Sequence, residues 1–175
     1  GRMNPINQVL EFVIRHYPVS VYPKVLEIAA GSGRLSRLLA HKGYQVTAMD
    51  PELVIDRYAP YEQDLNPFDE STDISEYDLG IAVHPCDIHE IIIQQFQNSG
   101  KGLFLIPCVT YACHSASVSQ FDNNDDWLDY LGQYGLNQTE LFDETAPHYI
   151  QPFSHVFYRF GDQVPVRITP YCKKK

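Results

Sequence analysis

The stretch whose reading decides the fold is Val25 to Asp50, VLEIAAGSGRLSRLLAHKGYQVTAMD. It begins inside a short apolar run, KVLEIA, bounded by turn residues and too short for a helix, which predicts a strand. Gly31 and Gly33 follow at once, and glycine accepts the tight left-handed turns that other residues resist. GRLSRLLAHKG then places Leu35, Leu38 and Leu39 on one helical face, with Gly43 as the stop. YQVTAMD returns to a strand and ends on an acid, Asp50. Strand, glycine turn, helix and strand make one βαβ unit.

The same alternation extends outward. Upstream, NPINQVLEFVIRHY carries Ile6, Val9, Leu10, Val13 and Ile14 at helical spacing, with Asn4 as cap and Pro5 at the first helical position. Downstream, YDLGIAV predicts a strand, DIHEIIIQQF a helix with Ile88, Ile91, Ile92 and Phe96 inward, and KGLFLIP another strand. DDWLDYLGQYG predicts a helix capped by Asn124. QTELFDE and HVFYRFG predict two strands, separated by a loop holding Pro147 and Pro152, that pair antiparallel at a sheet edge. The expected architecture is α/β: a three-layer Rossmann-like sandwich whose sheet is mostly parallel with an antiparallel terminal strand. With 175 residues and no linker-like tract, residues 1–175 read as one domain. Gly1 and Arg2 before Met3 read as a cloning remnant, and residues 171–175 as a flexible basic tail.

Composition narrows the function classes. An aromatic share of 13% and a hydrophobic share of 44% argue for a packed core and against disorder. A formal net charge of -9 works against non-specific attraction to nucleic-acid backbones. No apolar run reaches the roughly 18 residues of a membrane span, and no secretory leader is evident, so a cytoplasmic location is expected. The cysteines Cys86, Cys108, Cys113 and Cys172 lack the spacing of a disulfide framework and read as reduced thiols.

The glycine turn sits where a ligand meets backbone. Gly31 and Gly33 let the chain approach a bound group closely, and the helix from Arg34 aims its free amides into the turn. Asp50 ends the next strand, where a carboxylate can accept both hydroxyls of a ribose. The dinucleotide pattern G-x-G-x-x-G fails here because GSGRLS has Ser36 at its third glycine. VLEIAAGSGRLS followed by VTAMD instead resembles motif I and the following acidic motif of class I S-adenosylmethionine-dependent methyltransferases. The family form is acid-x-Gly-x-Gly-x-Gly, with Ala29 standing at the first glycine.

The resemblance runs from Lys24 to about Gly161 and implies S-adenosylmethionine as cofactor. By its terms Glu27, Ala29, Gly31 and Gly33 flank the methionine part and Asp50 holds the ribose. Asp64 and Leu65 flank the adenine, and Val83 ends the strand beside the methyl group. Asp64 lies only 14 positions after Asp50, which implies an abbreviated crossover between those strands. The methyl acceptor is unidentified: a small molecule, a protein or RNA. A non-catalytic binding module or partner subunit is the alternative, motivated by the short crossover and by VHPCD in place of an Asn-Pro-Pro-Tyr type of loop. A nicotinamide-dependent oxidoreductase ranks last.

Two loops stand beyond neighbouring strand ends, VHPCD from Val83 to Asp87 and IPCVTYACH from Ile106 to His114. DLGIAVHPC with LIPC also resembles a class I subgroup with His-x-Cys and Pro-Cys strand ends, some of whose members act on RNA, although Asp87 replaces its glycine. His84 and Asp87 are the candidate general bases for deprotonating an acceptor. Each also has a structural reading: His84 as a strand cap through a backbone hydrogen bond, Asp87 as the N-cap of the next helix. Cys86, Cys108, Cys113, His84, His89 and His114 raise a metal site, but their spacing contains no C-x2-C or H-x3-H pair. No metal is therefore expected, and the cysteines read as small buried hydrophobes.

Overall fold

In a computed structural model, the structure describes residues 6–111, 113, 115–142 and 153–163. The elements are α1 (Ile6–His16), β1 (Lys24–Ile28), α2 (Arg34–His41), β2 (Gln45–Met49), β3 (Glu62–Asp64), β4 (Leu79–Val83) and α3 (His89–Asn98). β5 (Gly102–Ile106), α4 (Ala116–Ser119), α5 (Asn124–Gly132), β6 (Asn137–Phe142) and β7 (Phe153–Arg159) complete them. The sheet runs β3-β2-β1-β4-β5-β7-β6. β1 to β5 pair in parallel, and β7 runs antiparallel to both β5 and β6. The expected α/β sandwich with an antiparallel terminal strand is what forms.

Alternation along the strands builds two cores, one on each face. Val25, Val46, Ile81, Phe104 and Val156 join α1 and α2 through Val9, Val13, Leu35 and Leu39. Leu26, Met49, Ala82, Leu105 and Phe157 join α3 and α5 through Ile92, Phe96, Trp127 and Leu131. Neither the β2–β3 connection nor the β3–β4 connection contains a helix. Loop side chains fill those places: Leu53 and Tyr61 in the first core, Phe68 and Ile74 in the second. The abbreviated crossover expected from the sequence is thus present.

Two helical faces and one helix cap differ from expectation. In α1, Phe12 is buried while Ile14 is 38% exposed, because Ile14 lies about 100° around the helix from Val13. In α3 the buried residues are His89, Ile92, Ile93 and Phe96, with Ile88 and Ile91 only flanking. α5 is capped by Asn123, which accepts from the Asp126 amide, and not by Asn124, which accepts from the Thr110 amide at 3.2 Å. Asn4, Pro5, Pro147, Pro152 and residues 171–175 lie outside the described residues.

The lead-in segment is tied to the far strands. The Tyr17 hydroxyl sits between the Leu103 and Arg159 carbonyls at 2.9 and 3.0 Å, and the Gly161 amide donates to Tyr22. These bonds tie the segment after α1 to the amino end of β5 and the end of β7.

Candidate functional site

β1 ends at Ile28, and Ala29, Gly31 and Gly33 all adopt positive φ, at 57°, 57° and 78°. The Gly33 amide donates to Ala30, and the Gly33 carbonyl accepts from Arg37 as α2 begins. A methyl group on Gly33 would lie 2.3 Å from the Tyr61 hydroxyl, whereas one on Gly31 would meet nothing within 4 Å. Gly33 is therefore needed for close packing and for its φ. Gly31 faces open space, where a ligand can approach the main chain.

α2 has no side-chain cap of its own at Gly33. Glu27 supplies it: one carboxylate oxygen accepts from the Ser36 amide at 3.1 Å and from its hydroxyl at 2.6 Å. That satisfies an orphan amide at the N-terminal end of the helix. Glu27 is 4% exposed, and burial raises its carboxyl to about 7 against the opposing Ser36 hydrogen bonds.

Asp50 follows β2, and its two oxygens divide. One accepts from the Gly31 amide at 2.9 Å, the other from the Glu52 amide at 2.8 Å. The Asp50 amide donates to the Asp64 carbonyl at 3.0 Å, so the ends of β2 and β3 are joined. The Asp64 carboxylate turns to Asn66 at 2.8 Å, and Leu65 is 48% exposed.

A cavity of about 190 Å³ opens beside this turn, lined by Glu27, Ala29, Ser32, Arg34 and Val83, and closed by Ile6 and Val9 from α1. The contribution of α1 was missed in the sequence, where its apolar stripe signalled only a buried face. A larger cavity of about 400 Å³ lies at the amino ends of β1 to β3, between Lys24, Gln45 and Glu62. The smaller one has the position of a ligand crevice, because parallel sheets present ligands beyond their carboxyl ends.

After β4 the chain turns sharply through His84 and Asp87, both at positive φ, 53° and 69°. The His84 amide donates to Ile106 at 2.8 Å, continuing the ladder, while its side chain remains exposed. Surrounding protein still desolvates the imidazole enough to lower its pKa below the usual value. Asp87 does not cap α3. The turn bonds Cys86 to His84 and Ile88 to Pro85 delay the helix, Ile88 takes the N-cap position without a side-chain bond, and Asp87 projects outward. Neither His84 nor Asp87 lines the cavity, which on this side reaches Val83.

Behind this turn, the three thiols of Cys86, Cys108 and Cys113 lie within 4.8 Å of one another. Burial pushes the Cys108 thiol well above its ordinary range. His89 is buried, with Nε2 accepting from the Cys108 amide at 3.0 Å. An amide can only donate, so the ring proton sits on Nδ1, which is buried with no hydrogen-bond partner. Burial lowers His89 to about 4, and it stays neutral. His114 lies outside the described residues.

No known protein-family pattern matches the sequence, and neither does any curated protein. Solved structures do resemble the fold. The magnesium protoporphyrin IX methyltransferase of Synechocystis, solved with bound S-adenosylmethionine, matches at TM-score 0.56 and 15% identity over 90% of this chain and 84% of its own. The 1,6-didemethyltoxoflavin-N1-methyltransferase of Burkholderia thailandensis, solved with 1,6-didemethyltoxoflavin and S-adenosylhomocysteine, matches at TM-score 0.57 and 11% identity over 89% and 78%. A methyltransferase candidate from an antibiotic biosynthesis pathway of Anabaena variabilis matches at TM-score 0.51 and 13% identity over 78% of this chain, which spans 64% of its length. With the strand order already described, these likenesses show that the chain has the class I, Rossmann-like fold of S-adenosylmethionine-dependent methyltransferases.

Proposed function

We propose that this protein transfers a methyl group from S-adenosylmethionine to an acceptor nucleophile. The observation that carries the reading is the pairing of the Gly31 amide with Asp50 beside an open turn, in a sheet of this strand order. The residues fit the cofactor. Asp50 and the turn from Ala29 to Gly33 would hold ribose and methionine parts, Glu27 would brace the turn, Asp64 and Leu65 would border the adenine, and Val83 would face the methyl group. When bound, S-adenosylmethionine supplies an electrophilic methyl group to an aligned acceptor.

His84 is the base in this reading. Its lowered pKa keeps the imidazole neutral at physiological pH, able to accept the proton that an acceptor nitrogen or oxygen releases. Asp87, exposed and one turn further on, is a second candidate for that proton. A net charge of -9 favours a small molecule or protein acceptor over bare RNA. Among the described residues no helix is long and apolar enough to cross a membrane. A cytoplasmic setting accords with three free thiols held close together.

Calorimetric titration with S-adenosylmethionine, S-adenosylhomocysteine and NAD is the direct test. Both adenosyl compounds should bind and NAD should not; NAD binding alone would end the methyltransferase reading. Asp50→Ala should weaken S-adenosylmethionine by about 1–3 kcal/mol, the range for a lost charged acceptor. Unchanged affinity would remove the ribose from Asp50.

A further inference from the structure

We propose that Cys86, Cys108 and Cys113 form a three-thiolate site for Zn2+, with a fourth coordination position open to solvent beside Cys86. The residues come from two loops that sequence spacing does not relate. Parallel pairing of β4 with β5, Val83 opposite Ile106, brings those loops together. Cys86 Sγ lies 3.3 Å from Cys108 Sγ and 3.4 Å from Cys113 Sγ. A tetrahedral site with Zn–S bonds of about 2.3 Å has S···S edges of roughly 3.8 Å, so these two edges need to open by only a few tenths of an ångström, and the third thiol pair lies within 4.8 Å.

Thiols are weak hydrogen-bonding groups, and packing three against one another satisfies little by itself. A soft cation uses all three donors at once, since thiolates select zinc over hard ions such as magnesium. The surroundings hold the donors in place. Both backbone groups of Cys108 are pinned, the amide by His89 at 3.0 Å and the carbonyl by the Trp127 indole at 2.8 Å. The Ser115 hydroxyl, 3.3 Å from Cys113 Sγ, can turn to donate to a thiolate, the kind of outer contact that orients metal ligands. Cys108 and Cys113 are buried while Cys86 is exposed, which gives the ion an entry path and the fourth position an outlet. Loading forms three Zn–S bonds as three thiol protons pass to solvent.

The test uses the full chain, reduced, treated with chelator and titrated without oxygen. Co2+ should bind at one equivalent with thiolate charge-transfer bands and the strong visible bands of a tetrahedral site, and Zn2+ should displace it. Zn2+ should also protect three thiols from alkylation. Cys86→Ser and Cys113→Ser should each lower Zn2+ affinity by about 100-fold or more. Cys172→Ser, outside the described residues, should change nothing. Because Cys86 is exposed, its serine variant keeps the test sound even where replacing buried Cys108 unfolds the chain, and circular dichroism reports which has happened. Absence of thiolate bands, parental affinity in the Cys86 and Cys113 variants, loss of binding on Cys172→Ser, or a Cys86 disulfide persisting in place of bound metal would each overturn the site.

Discussion

The turns after β1 and β4 end neighbouring parallel strands, yet they are built in opposite ways. From Ala29 to Gly33 the largest side chain is a serine, and the left-handed positions fall on glycine twice and alanine once. From His84 to Asp87 every residue carries a substantial side chain, and the left-handed positions fall on histidine and aspartate. Outside glycine that conformation costs about 1–2 kcal/mol, somewhat less for Asp. The first turn removes side chains so that backbone can meet a ligand. The second keeps them against a conformational penalty, which is the pattern expected where side chains themselves are used.

The sharpest way to break this contrast is Gly33→Ala. The added methyl meets Tyr61 at a φ of 78°, so the variant should lose about 4 kcal/mol of stability by urea denaturation. A loss below about 1 kcal/mol would mean the first turn does not need its glycine.

Next comes Glu27, which braces that turn. Its folded carboxyl titrates near 7, above the ordinary 4.5, so the folded protein holds this proton more tightly than the unfolded chain. The stabilising contribution is complete below about pH 4.5 and is lost as pH rises through 7, a change on the order of 3 kcal/mol. Glu27→Gln should lack that decline, so denaturation from pH 5 to pH 8 should show the variant gaining on the parent throughout. Parallel curves for the two proteins would place the buried charge elsewhere.

The smallest effect belongs to the second turn. Asp87→Gly relieves a positive φ without removing a cap, and should raise stability by about 0.5–1 kcal/mol, visible as a higher Tm. A lower Tm would show that the carboxylate makes a contact the fold requires.

Much of this was legible before any coordinates. The βαβ unit, the short crossover and the antiparallel edge follow from periodicity, chain length and glycine placement, all of which are local. The place of Asp50 near the glycine turn was legible too, since an acid ending the second strand of such a unit stands beside the first turn, but its bond from the Gly31 amide was not. Spacing places Glu27 at the cofactor turn but cannot show that Ser36 occupies one of its oxygens. Asp87 resembled a cap because the tight bonds across 84–88, which delay α3 to His89, leave no mark on composition. The three cysteines stand among the residues that raise a metal site, yet their spacing argues against one. Cys86, Cys108 and Cys113 meet only because two parallel strands lie side by side, and spacing along a chain carries no information about that.

The connections on either side of β3 lack helices, and this has a dynamic consequence. β3 is a three-residue edge strand, joined to the Asp50 corner by a short ladder and by loop residues such as Leu53 and Phe68. Local opening there breaks only a three-residue ladder but uncovers Leu53, Tyr61, Phe68 and Ile74, whereas β1, β4 and β5, buried at the centre, open only with the whole domain. The carboxylate proposed to grip the ribose thus stands beside an edge strand held by a short ladder. Part of any binding energy at Asp50 goes to ordering that corner, and a ligand that spans it extends the cooperative unit outward to the sheet's edge.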